Sequence, residues 1–295
     1  MKRNEFLKFI PLLLTFQAFK PLRNLEYLTN KDFNSDLMPV LFLGHGSPMN
    51  AIEENSFVKG FRDIAGTFPK PNAIICISAH WFTKGTFVTA MDNPKTIHDF
   101  GGFPEALFNV QYPAPGSPEL AKKTQEVITQ TNVTADFDWG LDHGTWSVVK
   151  HLYPKADVPV IQLSIDYSKP AQYHYELAAQ LKVLRNKGVL IIGSGNIIHN
   201  LGLADFRNMN KPNYGFDWAI ETHAKVNGFL NDENYQPLID YAKQGKAFQL
   251  AIPTAEHYLP MIYTLGLQVK SDKMLLFNDE LMAGSLSMTS IKLSE

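Results

Sequence analysis

An α/β domain with a mixed, largely parallel central sheet flanked by helices is the fold class this sequence predicts. Three observations predict it. From about Met38 onward, short apolar runs alternate with amphipathic stretches of helical period. At least three of the apolar runs end in a glycine-containing or polar turn that carries a histidine, as strands feeding the carboxyl edge of a sheet do. With 45% hydrophobic and 19% charged residues in a chain of 295, there is enough apolar material for one full core.

Taken in order, the strands are expected at 39–44, 73–79, 86–91, 158–165, 189–194 and 247–252. Each is an apolar run bounded by turn residues. Helices are expected at 118–131, 145–152, 169–186, 215–230, 234–244 and 258–265. The first opens on Ser117-Pro118-Glu119, with serine as cap and proline in the first turn. The 169–186 stretch closes on Lys187-Gly188. The stretch 92–116 has no clear period and is rich in Pro, Gly and aromatics, which suits a packed lid or pocket wall. No linker breaks 38–295, so this range is expected to form one domain.

Residues 1–37 read as an amino-terminal extension. Lys2, Arg3 and Lys8 precede an apolar stretch from Phe9 to Phe19, the layout of a degenerate export signal or a surface helix. Pro11 and Gln17 interrupt it and Lys20 closes it, and it is too short for a membrane span. A cytoplasmic location is expected, with export through this segment as the alternative. A formal net charge of -2 offers no broad basic field for nucleic acid. The lone cysteine, Cys76, sits mid-run as a small hydrophobe, so any metal must be held by histidines and carboxylates.

Nine histidines are present, and their placement is uneven. His45 follows Val40–Gly44, His80 follows Ala73–Ala79, and His199 follows the run 189–196. Neutral imidazole is the commonest protein ligand for a borderline transition metal. The strands before His45 and His80 can be sheet neighbours, which would set both rings at one edge. His257 lies between a strand and a helix, with Glu256 beside it as a rival ligand. His143, after Asp142, is a pocket candidate; His98, in the irregular segment, is a candidate substrate contact. His151, His174 and His223 fall inside expected helices and read as structural. The Gly193-Ser194-Gly195-Asn196 turn lacks the full spacing of a dinucleotide loop, and Ser47 lacks that of a hydrolase elbow.

Six motifs occur in order: GHGSPMN at 44–50, SAHWF at 78–82, TIHDFGGFP at 96–104, DHGTW at 142–146, GSGNIIHN at 193–200 and TAEHYLP at 254–260. Together they resemble the 4,5-DOPA extradiol dioxygenase family, within the class III, LigB-like extradiol dioxygenases. The resemblance covers the chain from about Met38 and implies a LigB-like α/β domain. It implies one divalent metal per chain, Fe(II) for catalysis, with Zn(II) also able to occupy the site. By motif, His45, His80 and His257 match the metal ligands. His199 matches the acid/base and can lie close enough to act as a fourth ligand. His143 is implied as a second catalytic group that hydrogen-bonds substrate or oxygen, and Trp81, Phe100 and Phe103, with His98, are expected around the ring. The expected partners are a small-molecule catechol and O2, with a semialdehyde product. Two other readings use the same scaffold: a Memo-like binding protein without catalysis, and a zinc-dependent hydrolase.

Overall fold

The computed structural model describes residues 37–209 and 211–295. The expected amino-terminal extension, apart from Leu37, lies outside the described residues. The strands are β1 (Val40–Gly44), β2 (Ala73–Ser78), β3 (Phe82–Thr83), β4 (Thr86–Thr89), β5 (Val133–Asp136) and β6 (Val160–Gln162). They continue with β7 (Ile165–Asp166), β8 (Val189–Gly195), β9 (Lys273–Phe277), β10 (Leu281–Met282), β11 (Leu286–Ser287) and β12 (Ser290–Ser294). The main sheet has the order β6-β2-β8-β1-β12-β9. The β6, β2, β8 and β1 pairings are parallel, while β12 runs antiparallel to both β1 and β9. The sheet is therefore mixed and largely parallel, as expected.

The central strands are buried throughout because helices cover both faces. All seven residues of β8, and all of β1 and β2, are buried. On one face, Leu41, Leu43, Ile74, Cys76, Leu190 and Ile192 pack with Trp146, Val148 and Val149 of the helix His143–Leu152. On the other face the helix Leu259–Gly266 packs on β8 and β1 and is backed by the helix Ala171–Gln180. Burial pushes the Cys76 thiol up, as its apolar setting requires.

Five sequence expectations are corrected, one being the helix expected at 234–244, which is a short helix, Gln236–Ile239, followed by a 3-10 turn, Tyr241–Lys243. Residues 247–252 are not a strand; Lys246–Ala251 is a helix whose buried residues Ala247, Phe248 and Ala251 follow helical spacing. The strand expected at 158–165 is two, β6 and β7, because the Ser164 hydroxyl accepts from Phe87 N–H at 2.8 Å and diverts the chain to pair with β3. The helix expected at 169–186 is likewise two, Ala171–Gln180 and Lys182–Arg185. The strands before His45 and His80 are not neighbours, since β8 lies between them. That inserted strand brings a third turn, and with it His199, to the same edge. Strands β9 and β12 and the helix Ser56–Ala65 went unforeseen. The 92–116 segment is irregular as expected, apart from one short helix, Glu105–Phe108, and a bridge from Thr96 to Leu141.

Candidate metal centre and active-site cavity

Each site histidine is set by a local device. His45 is the first residue after β1, and its N–H donates to the Gly195 carbonyl at 3.0 Å. His80 follows β2, where its N–H donates to the Ser78 hydroxyl at 3.2 Å. His143 opens a helix capped by Asp142, whose side chain accepts from Thr145 N–H at 3.0 Å. Asp142 is itself buried, held by the Ser78 hydroxyl and the Gln162 amide, and burial raises its carboxyl. Gly144 lets these parts close up: a Cβ there would lie 2.5 Å from Ser78 Oγ and 2.8 Å from His80 Cδ2. The His257 carbonyl accepts from Asn196 N–H at 2.9 Å, directly over β8. Gly195 makes that approach possible, because a Cβ there would lie 2.1 Å from the His257 oxygen.

Three imidazoles converge. One ligand atom from each of His45, His80 and His257 lies within 4.8 Å of the others. The Nε2 atoms of His45 and His80 are 3.4 Å apart. Hydrogen bonding decides what those atoms carry. The Ser194 hydroxyl donates to the Gly144 carbonyl at 2.5 Å, so toward His45 Nδ1, 3.0 Å away, it can only accept. The neutral His45 ring therefore carries its proton on Nδ1. His80 Nδ1 lies 3.3 Å from Asp99 Oδ2, and that negative charge favours a proton on the same nitrogen. Both Nε2 atoms then present bare lone pairs to one point, an arrangement that a cation satisfies and a hydrogen bond between neutral rings does not. Burial, then the neighbouring imidazoles, holds His45 and His80 far below the ordinary histidine range. The donor set therefore fits a divalent metal of the iron or zinc type.

Around the three lie two further imidazoles. His143 Nδ1 is 3.0 Å from Asp99 Oδ1, which also accepts from the His143 N–H at 2.8 Å. Although close, that ring nitrogen is not aligned for a hydrogen bond with the carboxylate. Burial would raise Asp99, but the His143 imidazole and backbone N–H beside it, with His80, hold it below the usual carboxylate range. His199 stacks on His257 with ring centroids 3.6 Å apart and planes 7° from parallel. Burial, and then His257, lowers His199 to about 3, so its ring is neutral at pH 7. It is not one of the three converging ligand groups.

The sequence of this chain matches the family described as the catalytic LigB subunit of aromatic ring-opening dioxygenase, over residues 39–276. The chain belongs to the LigB family. It is 44% identical to the 4,5-DOPA dioxygenase extradiol of Escherichia coli K12, over 88% of this chain and 96% of that protein. The protein of the same name from Beta vulgaris is 34% identical over 87% of this chain and 97% of its own length. A solved structure of an uncharacterized Escherichia coli K12 protein superposes with a TM-score of 0.75 at 39% identity, covering 87% of this chain and all of that one.

In this LigB protein the imidazoles open onto a cavity of about 910 Å³. Its walls include His45, His80, His143, His199 and His257, with Phe100 and Phe103. Two expected substrate contacts are not there. Trp81 is buried and stacks on Trp139, with centroids 5.7 Å apart. His98 bonds the Val110 carbonyl at 2.9 Å and packs against Phe100 and Trp146, behind the wall. Glu256, the rival ligand, is not among the converging groups; its carboxylate takes the Thr254 hydroxyl at 2.6 Å. His151, His174 and His223 bond the Asn50 carbonyl, the Tyr263 hydroxyl and Asp279, away from the centre. Nothing local in the sequence marks Asp99 and Ser194 as the neighbours of the histidine Nδ1 atoms. Asp99 stands in the TIHDFGGFP motif beside His98, and Ser194 in the GSGN turn, so the motifs carried both residues without the geometry. Among the described residues no helix is long and apolar enough to cross a membrane.

Proposed function

We propose that residues 38–295 form the catalytic domain of an extradiol dioxygenase that opens the ring of a DOPA-like catechol with O2. The observation that carries this reading is the convergence of His45, His80 and His257, with the Nε2 atoms of His45 and His80 3.4 Å apart. His45, His80 and His257 would hold the metal, Fe(II) for turnover, with Zn(II) able to take the same donors. When bound, Fe(II) supplies a redox-active Lewis acid at which catechol oxygens and O2 can meet, a role Zn(II) cannot complete.

The remaining steps belong to the protein. His199, which lines the cavity beside His257, is the group that takes a proton as the catechol binds and returns one as the ring opens. Its stack on His257 holds the ring plane in place during that exchange. His143 lines the same cavity, its backbone held by Asp99, and can hydrogen-bond a substrate hydroxyl or dioxygen. Phe100, whose ring is 5.5 Å from both His143 and Phe103, offers an aromatic wall for the catechol ring and limits water.

The test is direct. Protein loaded anaerobically with Fe(II) and then exposed to O2 and a catechol panel including DOPA should consume O2 and yield a yellow ring-opened semialdehyde. No O2 uptake with any catechol overturns the reading, and turnover without O2 would favour a hydrolase.

A further inference from the structure

The two ring nitrogens of His80 have different surroundings. Its Nε2 meets His45 Nε2 at 3.4 Å, on the side where the three imidazoles converge. Its Nδ1 lies 3.3 Å from Asp99 Oδ2, and His143 Nδ1 lies 3.0 Å from the other oxygen, Oδ1. One donor atom from each of His80, Asp99 and His143 lies within 4.8 Å of the others, so a second convergence stands beside the first. The His80 and His143 rings are stacked at a tilt of 49°, with centroids 3.8 Å apart.

Three features fit this group to a cation. His143 Nδ1 is buried and has no hydrogen-bond partner, although a carboxylate oxygen is 3.0 Å away. A buried polar atom left in that state calls for an ion or a water. The charge on Asp99 decides between them. Its side chain is only 18% exposed, and among the described residues its ion-pair contacts are His80 and His143, with no lysine or arginine. A carboxylate so enclosed is stabilised by a positive partner, which a water does not supply. The separations agree as well. Bonds of about 2.0–2.2 Å around four-coordinate Zn(II) set its donors roughly 3.3–3.5 Å apart, close to the 3.3 and 3.0 Å observed. The carboxylate is also held in direction, because Oδ1 accepts from the His143 backbone N–H at 2.8 Å. His80 and His143 both line the cavity, so an ion in solution can reach them.

We infer that His80 Nδ1, Asp99 and His143 Nδ1 form a second divalent-cation site, which takes Zn(II) with a water as the fourth donor. The inference rests on the proposed dioxygenase reading only through His80, which would give Nε2 to the first ion and Nδ1 to the second. Binding of the second ion sends the His80 Nδ1 proton to solvent. Because that proton must leave and two cations then share one ring, the second ion binds more weakly than the first.

The experiment counts ions and locates them. Calorimetric titration with Zn(II), starting from protein that already holds one Zn(II) per chain, should reveal one further, weaker ion. Crystals grown with excess Zn(II) should give two anomalous peaks at the zinc edge, the second between Asp99 and His143. His143→Gln removes a donor of the second group alone, so it should abolish the second ion and keep the first. Asp99→Asn keeps the shape and loses the charge, and should do the same; far-UV circular dichroism reports that each variant is folded. A single ion per chain in the wild type overturns the site, and so does a second ion that survives both substitutions. The Fe(II) assay keeps the two readings apart. Ring opening by a chain that binds only one ion sinks the second site alone, and two ions without ring opening of any catechol sink the proposed function alone.

Discussion

Ser194 shows how much a single hydroxyl can decide. It is buried in the last turns of β8, spends its proton on the Gly144 carbonyl, and so leaves His45 no choice of tautomer. Asp99 places its negative charge 3.3 Å from His80 Nδ1. Such partners of metal-binding histidines are typically worth roughly 10–100-fold in metal affinity. Ser194→Ala should therefore weaken Zn(II) binding by about that factor in a chelator competition, with the far-UV circular dichroism unchanged. Wild-type affinity in this variant would mean that His45 does not bind through Nε2. The sequence displayed the histidines openly, because their strand-end positions and ordered motifs are local. It did not display which nitrogen each would offer, since Ser194 and Asp99 act across 149 and 19 residues of chain.

At the scale of elements, the glycines of β8 are contact points for the segment that carries His257. Gly195→Ala puts a methyl group where the His257 carbonyl now sits, 2.1 Å from the new carbon. Neither side is a flexible side chain, so backbone has to move and His257 moves with it. Overpacking of this kind costs about 1–3 kcal/mol. Metal content after dialysis should fall to a small fraction of wild type, while a urea melt still reports a cooperative fold. Elements with strong local signals were legible in the same region: Ser117 does cap its helix, accepting from Leu120 N–H at 3.2 Å. Lys246–Ala251 was misread because a short run with Phe248, Leu250 and Ile252 alternates like a strand. Packing on the helix Asp217–Asn231 made it helical. Strand β9 was missed because it lies at the sheet edge with a largely exposed face, and β12 because its run is short and polar at alternate positions.

For the whole molecule, the start of β1 is tied to the far end of the chain by a buried ion pair. Arg185 and Asp272 are both fully buried and meet through two 2.7 Å hydrogen bonds, while Arg185 also bonds the Met38 and Leu267 carbonyls. Asp272→Ala leaves that guanidinium unpaired in the core and should cost about 3–5 kcal/mol in urea unfolding. A loss below about 1 kcal/mol would show that water reaches the guanidinium. A second global effect comes from His174, which burial lowers to about 4. Its folded value lies below the unfolded one near 6.5, so above pH 6.5 it contributes nothing to pH dependence. As pH falls from 6.5 toward 4 the unfolded chain takes up the proton first, and stability drops. At pH 5 the loss is about 2 kcal/mol, from about 1.4 kcal/mol per pH unit. The fall in melting temperature of the Zn(II)-loaded protein between pH 6.5 and 5 should accordingly be shallower in His174→Gln, and equal slopes would exclude this histidine as the cause.

By itself the sequence determined the fold class, the family likeness, and the set of imidazoles within reach of one sheet edge. All of these follow from short-range patterns: apolar runs, strand-end glycines, and motifs of five to nine residues. Tertiary structure decided which histidines meet. Placing β8 between β1 and β2 grouped His45, His80 and His257, stacked His199 on the last of them, and turned His98, Trp81 and Glu256 elsewhere. The reason is physical. A ligand set is defined by lone-pair directions at separations of a few ångströms, and strand order and hydrogen-bond partners distant in the chain set those directions.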